Sequence, residues 1–465
     1  MNVAEQIVAQ LVDAGVHRIY GIVGDSLNPI VDAVRKTGGS KKGGIDWIHV
    51  RHEEAAAFAA SAEAQLTGKL AVCAGSCGPG NLHLINGLYD ANRTGAPVLA
   101  IASHIPSVQI GTMYFQETHP DRIFEECSVY NELISSAAQS PRTVNSAIRH
   151  AVGLGGVSVI TLPGDVSDLK AVEHIPTYAP ARPATLTPNA ADVEEAAALL
   201  NKADKVAIFA GAGVEGAHDE VIALADALKA PIGHSLRGKH FIQYDNPFDV
   251  GMTGLLGYGA AAEGMSDADV LILLGTDFPY DQFLPDTPTI QVDTHAEKLG
   301  RRTDVGLAIH AQVKPFIEAL LPHLRAGRSD SFLKAKIKKH SEIMHAPVGA
   351  YTRNVEKMRP IHPEYAAHLL NETAAKDAIF TADTGMCNVW TARYIDPLGT
   401  RRLIGSLLHG SMANALPMAL GAQVTYPDRQ VVSVSGDGGI SMLLGELITA
   451  KMYDLPVKVV VFNNS

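Results

Sequence analysis

Two stretches of the chain carry residue types at spacings that could do chemistry. The first is Gly436-Asp437-Gly438-Gly439, which follows a β-branched run at 431–435. The second is Asn463-Asn464, which follows another such run at 457–462. Residues 440–452 between them have helical spacing, and Asp454-Leu455-Pro456 ends that helix. Strand, helix and strand make a right-handed βαβ unit with parallel strands. Asp437 and Asn464 then stand at the carboxyl ends of adjacent strands, where open α/β sheets bind ligands. A carboxylate and an amide oxygen are hard donors. They suit Mg²⁺ or Ca²⁺ carrying a substrate's phosphates.

A second carboxylate, Glu53, lies in Arg51-His52-Glu53-Glu54, where a strand gives way to a helix. Small apolar residues, Ala55-Ala56-Ala57-Phe58-Ala59-Ala60, follow it. The helix N-terminus alone would accommodate a carboxylate there. Apolar surroundings would also desolvate it, raising its pKa toward the range useful for proton exchange near neutrality. Gly75-Ser76-Cys77-Gly78-Pro79-Gly80-Asn81 forms a glycine-rich turn between strand and helix that lets backbone approach a flat or anionic ligand. His409-Gly410-Ser411-Met412 offers a polarizable thioether, either core or a support for a bent aromatic ligand. Tyr114-Phe115-Gln116-Glu117 is an aromatic, amide and acid loop suited to lining a small pocket.

The middle of the chain repeats the pattern of glycine or acid at strand ends. Gly211-Ala212-Gly213, Thr253-Gly254-Leu255-Leu256, Thr276-Asp277-Phe278 and Asp293 suit an extended dinucleotide, with Asp293 accepting from a ribose. None of the 19 histidines lies in an H-E-x-x-H spacing, and no serine occupies a G-x-S-x-G elbow.

The elements that must position these residues alternate along the chain. Helices at 3–14, 52–66 and 81–92 alternate with strands at 18–23, 46–50, 70–74, 98–103 and 157–162. A proline-rich stretch, 171–188, reads as a linker. A second block has strands at 206–210, 270–274 and 289–292, and a solvated lysine-bearing segment spans 327–363. In a third block, 378–382 reads as a strand and 411–421 as a helix. The fold class is therefore α/β with mainly parallel sheets, in domains 1–180, 190–330 and 355–465. The last block ends on a strand, which predicts a third domain short of covering helices.

Composition narrows the function. A net charge of −11 without a basic run excludes nucleic acid as a partner, and four cysteines without a framework point to a reducing cytoplasm. Cys73 and Cys77 read as buried thiols. No signal peptide or membrane-spanning run is visible.

Taken in order, these motifs resemble the thiamine-diphosphate- and FAD-dependent pyruvate oxidase family over residues 3–464, most closely its bacterial pyruvate:quinone oxidoreductases. The resemblance implies three Rossmann-like domains: pyrimidine-binding, FAD-binding and diphosphate-binding. The third would be truncated before the metal's last ligand, a backbone carbonyl, and before the segment that reaches membrane lipid.

It implies that Glu53 bonds the cofactor's aminopyrimidine, that the Gly410 carbonyl accepts its amino group, and that Met412 bends the cofactor, with Ser411 beside them. Pro79, Gly80 and Asn81 would flank the pyrimidine. Asp437 and Asn464 would bind Mg²⁺, with Gly438 and Gly439 at the diphosphate. Phe115 and Gln116 would face pyruvate. FAD would lie along Gly211, Gly213, Thr253, Gly254, Leu255, Leu256, Thr276, Asp277, Phe278 and Asp293.

The implied reaction is oxidative decarboxylation of pyruvate to acetate and CO₂, with electrons passing through FAD to a membrane quinone. The implied assembly is a homo-oligomer, a dimer of dimers, cytoplasmic and peripheral to the membrane. The alternatives are an acetolactate-synthase-type carboligase, a phosphate-dependent pyruvate oxidase and a non-catalytic fragment.

Overall fold

The computed structural model describes residues 1–173, 178–179 and 184–464. Three mainly parallel sheets form the expected α/β architecture. The first contains β1 (Arg18–Gly21), β2 (Asp46–His49), β3 (Ala71–Gly75), β4 (Val98–His104), β5 (Tyr130–Leu133) and β6 (Val157–Pro163). Their spatial order is β2-β1-β3-β4-β6-β5. The second contains β7 (Val206–Ala210), β8 (Ile232–His234), β9 (Asp249–Met252), β10 (Tyr258–Gly259), β11 (Val270–Leu274), β12 (Thr289–Asp293) and β13 (Leu307–His310). It runs β10-β9-β8-β7-β11-β12-β13, with β10 antiparallel to β9. The third, β15-β14-β16-β17, is built from β14 (Ile379–Ala382), β15 (Arg402–Gly405), β16 (Val431–Gly436) and β17 (Lys458–Phe462).

The chain divides into two compact units. One comprises Met1–Arg182, Ala378–Asn388 and Ile404–Ser465; the other comprises Pro183–Asp377 and Val389–Leu403. In the first unit, the central strands β3, β4 and β6 are buried on both faces, as parallel strands covered by helices must be.

The Glu53–Thr67 helix is the hub of this unit. From Ala55 to Ala64 every residue is buried, as befits a helix covered on all sides. Its alanines allow close approach. A Cβ on Gly87, in the Pro79–Thr94 helix, would stand 2.5 Å from the Ala57 Cβ. A Cβ on Gly421, in the Ala415–Thr425 helix, would meet the Ala59 carbonyl oxygen at 2.3 Å. Arg18, Tyr20 and Glu63 lock the same helix to β1. The Glu63 carboxylate accepts from Arg18 Nη1 and from the Tyr20 hydroxyl, each at 2.7 Å.

Three local expectations change. The helix expected at 411–421 begins at Ala415, because Gly410 and Ala413 take left-handed conformations (φ 78° and 65°). The helix expected at 440–452 is two helices, Asp437–Met442 and Glu446–Met452. Asp437 therefore opens the first of them. The lysine-bearing segment is also not uniformly solvated. Lys336, in the Ser331–Ile343 helix, is 5% exposed and donates to Glu263 (2.6 Å) and Asp267 (2.5 Å). Of the linker prolines, Pro176, Pro180 and Pro183 lie outside the described residues. All four cysteines are buried. Among the described residues no helix is long and apolar enough to cross a membrane.

Candidate active site

Glu53 is the first residue of its helix, and the His52 side chain caps that helix by accepting from the Glu54 N–H at 3.2 Å. Glu53 is 7% exposed, so the apolar run behind it does bury the carboxylate. Its Oε2 lies 2.9 Å from His83 Nδ1, and the His83 ring stacks on His52 with centroids 4.4 Å apart. One carboxylate and two imidazoles thus gather with their ligand atoms within 4.8 Å, a group able to hold and pass a proton. Gly80 makes room for it: a Cβ there would stand 3.1 Å from Glu53 Oε1.

The glycine loop after β3 is braced by hydroxyls. Ser26 Oγ is 3.0 Å from Ser76 Oγ, 2.6 Å from Ser103 Oγ, and accepts from the Cys77 N–H at 3.0 Å. Pro79 starts the Pro79–Thr94 helix, and Gly78 before it has φ 67°. Asn81 is fully buried and donates to the Ser103 carbonyl at 2.7 Å, so it acts as a strut of the loop. Gln116 reaches the same loop. Its Oε1 accepts from the Cys77 thiol at 3.2 Å, and its Cβ would be 2.9 Å from a Cβ on Gly78. Gln116 holds a left-handed conformation (φ 62°), while Phe115 beside it is 78% exposed.

Asn86 joins this half of the unit to the Gly410 segment. Its Nδ2 donates to Glu54 Oε1 (2.7 Å) and Ser411 Oγ (2.8 Å), and its Oδ1 lies 2.8 Å from His409 Nε2. The Ser411 N–H donates to Ser406 Oγ at 2.9 Å. Met412 is partly exposed, and its Cε lies 3.4 Å from where a Gly438 Cβ would be.

Asp383, which sequence reasoning missed, follows β14. It is buried and accepts from the Ala415 N–H (2.9 Å) and Asn414 Nδ2 (3.2 Å). Burial holds its carboxyl above the usual carboxylate range. Gly439 lacks a Cβ where one would stand 2.4 Å from Asp383 Oδ2, which lets the Asp437–Met442 helix approach. A signal was present: Asp383-Thr384-Gly385 after a strand echoes Gly436-Asp437-Gly438. His83 and Asn86 carried no comparable signal, because only the packing of two helices aims them.

Asp437 and Asn464 are exposed just beyond the paired residues Gly436 and Phe462 of β16 and β17. Their oxygens, at neighbouring carboxyl ends, fit a hard divalent cation carrying phosphate. Gly438 is exposed beside them.

The second unit holds the other candidates. Gly211 and Gly213 pack on Gly275 and Thr276, where a Cβ on Gly211 would be 2.4 Å from the Gly275 carbonyl oxygen. Their lack of side chains therefore serves strand-end packing. Thr253 and Thr276 are buried, and Leu255 is exposed with Leu256 partly so. Gly254 (φ 94°) faces the Phe278 ring, itself buried edge-on against Phe209. Asp277 pairs with Arg301 and Arg302, and Asp293, 7% exposed, accepts from the His295 N–H at 2.9 Å.

Comparison with known proteins places the chain in a family. Residues 1–123 match the thiamine pyrophosphate enzyme N-terminal TPP binding domain, 193–320 the central domain and 383–465 the C-terminal TPP binding domain. The chain belongs to the thiamine pyrophosphate enzymes. Similar proteins include YdaP of Bacillus subtilis (strain 168), 37% identical over 99% of this chain and 80% of that protein. Pyruvate oxidase of Lactiplantibacillus plantarum is 32% identical, over 97% of this chain and 75% of the other. The acetolactate synthase isozyme 2 large subunit of Escherichia coli (strain K12) is 31% identical, over 100% and 83%.

Proposed function

We propose that the protein oxidises pyruvate to acetate and CO₂ and delivers the electron pair to a quinone: pyruvate + H₂O + quinone → acetate + CO₂ + quinol. The observation that carries the reading is the buried Glu53 carboxylate at 2.9 Å from His83, beside the Gly78–Gly80 turn and Gln116. The 32% identity to a pyruvate oxidase supports it.

Bound thiamine diphosphate supplies the electron sink for decarboxylating a 2-keto acid, and FAD accepts the electron pair. Asp437 and Asn464 would hold Mg²⁺ for the diphosphate, next to Gly438 and Gly439. Glu53 would hold a proton at the aminopyrimidine, with His83, 2.9 Å away, as its exchange partner. The Gly410 carbonyl, fixed by the Ser411 contacts, would accept from the amino group, and Met412 would support the ring system. Gln116 and Phe115 orient pyruvate, while Pro79, Gly80 and Asn81 shape the wall.

Gly211, Gly213, Thr253, Gly254, Leu255, Leu256, Thr276, Asp277, Phe278 and Asp293, at the strand ends of the second sheet, would hold FAD. The working assembly is a homo-oligomer in the cytoplasm, peripheral to the membrane that holds the quinone.

An acceptor assay with pyruvate, thiamine diphosphate, Mg²⁺ and FAD tests this. The expectation is acetate with reduction of a quinone analogue. Acetolactate without quinone reduction would instead support the carboligase reading, which the acetolactate synthase relative keeps open. Acetyl phosphate and peroxide would indicate the phosphate-dependent oxidase. Glu53→Gln should abolish pyruvate-dependent dye reduction and leave the flavin spectrum intact; undiminished reduction would refute the role given to Glu53.

A further inference from the structure

The strand that delivers Glu53 is an edge strand, and its open edge is covered by two side chains rather than by another strand. Among the described residues β2 pairs only with β1. In a parallel pair, alternate residues turn their backbone groups toward the partner. Asp46 and Val50 donate to His17 and Gly21 on the β1 side, so residues 47, 49 and 51 turn outward. An edge of this kind leaves donors and acceptors that water, another chain or side chains must satisfy.

Here the Glu446–Met452 helix satisfies them. The Tyr453 hydroxyl accepts from the His49 N–H at 2.7 Å and donates to the Trp47 carbonyl at 3.2 Å. Glu446 Oε1 accepts from the Arg51 N–H at 2.8 Å and the His52 N–H at 3.0 Å. Its Oε2 accepts from the Thr449 hydroxyl at 2.7 Å. Glu446 is 1% exposed and Thr449 fully buried. Glu446 opens the helix and Tyr453 caps its end, seven residues on, so two turns put both on one face. Arg51 Nη2 also reaches Met452 Sδ at 3.2 Å.

The helix that grips β2 follows directly on the helix that Asp437 opens. We propose that Glu446 and Tyr453 are positioning residues. They fix the backbone of residues 47–52, and so the placement of Glu53 and His52, and they tie that placement to the Asp437 segment. Occupancy of the Asp437 and Asn464 end then tightens the turn that carries Glu53. The link to activity rests on the function proposed above; the grip on the backbone does not.

Amide hydrogen exchange on the full chain tests the grip directly. In Glu446→Ala the Arg51 and His52 amides should exchange at least tenfold faster, with amides of β4 unchanged. Glu446→Gln keeps an acceptor oxygen and should restore protection to within threefold. Tyr453→Phe should speed exchange at His49. Adding thiamine diphosphate with Mg²⁺ should slow exchange at both 437–442 and 51–52 in the unaltered protein. In Glu446→Ala the slowing at 51–52 should shrink at least threefold, while that at 437–442 remains. For pyruvate turnover, Glu446→Ala should lower kcat at least tenfold with KM within twofold, and Glu446→Gln should recover it.

Unchanged protection of Arg51 and His52 in Glu446→Ala, or failure of Gln to restore it, overturns the proposal. Should Glu446→Ala not fold, Glu446→Gln and Tyr453→Phe still decide: normal His49 exchange in Tyr453→Phe would overturn it. Absence of pyruvate turnover in the unaltered protein would count against the proposed function alone, since the exchange data stand without it.

Discussion

At the residue scale, the site depends on side chains that are missing as much as on those present. Gly80 leaves 3.1 Å between its would-be Cβ and Glu53 Oε1, and 3.3 Å to Ser76 Cβ. A methyl group there must push the carboxylate aside by a few tenths of an ångström. Displacements of that order in a reacting geometry cost roughly tenfold or more in rate. Gly80→Ala should therefore lower kcat for pyruvate about tenfold, with an unchanged melting temperature and circular dichroism spectrum. Glu53 itself was legible in the sequence, because an acid ahead of an alanine run must be buried if the helix is. His83 was not, since its 2.9 Å contact with Glu53 needs two helices that are separate in the chain.

At the scale of elements, the Glu53–Thr67 helix is held by close backbone approach. The Gly421 position faces the Ala59 carbonyl and Cα within 2.8 Å of any Cβ. That obstacle is backbone, which cannot swing away as a long side chain can. Gly421→Ala should destabilise the protein by about 1–3 kcal/mol through overpacking, read from the urea midpoint at unchanged m-value. The alanine-rich pattern announced a buried helix. It did not announce which neighbours come close, because a small side chain records available space and not the identity of what fills it. The break at Leu443–Gly445 likewise follows from tertiary demand: two short helices aim Asp437 and Glu446 separately, where one continuous helix would fix their relative angle.

At the scale of the whole molecule, pH stability carries the mark of a buried lysine in the second unit. Lys239 is 2% exposed, donates to the Ala392 carbonyl at 2.5 Å and lies over the Tyr258 ring. Burial brings its amine down to about 8, against the opposing pull of Asp396 and Asp249. The folded chain thus releases this proton near pH 8, while the unfolded chain keeps it to about pH 10. Between those values the unfolded state binds more protons, so this group's contribution to stability rises with pH. Lys239→Met should flatten that rise. At pH 7 it should leave the protein about 1–2 kcal/mol more stable, once the lost hydrogen bond to Ala392 is offset. Denaturant titrations at pH 7 and pH 9 check both.

By itself the sequence determined the α/β class, the run of strands ending in glycine or acid, and the placement of Glu53, Asp437 and Asn464 at element ends. Those features are local: strand and helix periodicity, turn chemistry and the carboxyl-end rule act within one βα unit. Only the tertiary structure decided that Asn81 braces its own loop, that Gly211 and Gly213 serve strand packing, and that Asp383, His83 and Asn86 join the site. It alone showed Glu446 and Tyr453 covering the open edge of β2. Each of those contacts joins residues distant in the chain. No spacing encodes such a contact; it is fixed by buried donors and acceptors that must find partners once the helices close on the sheet.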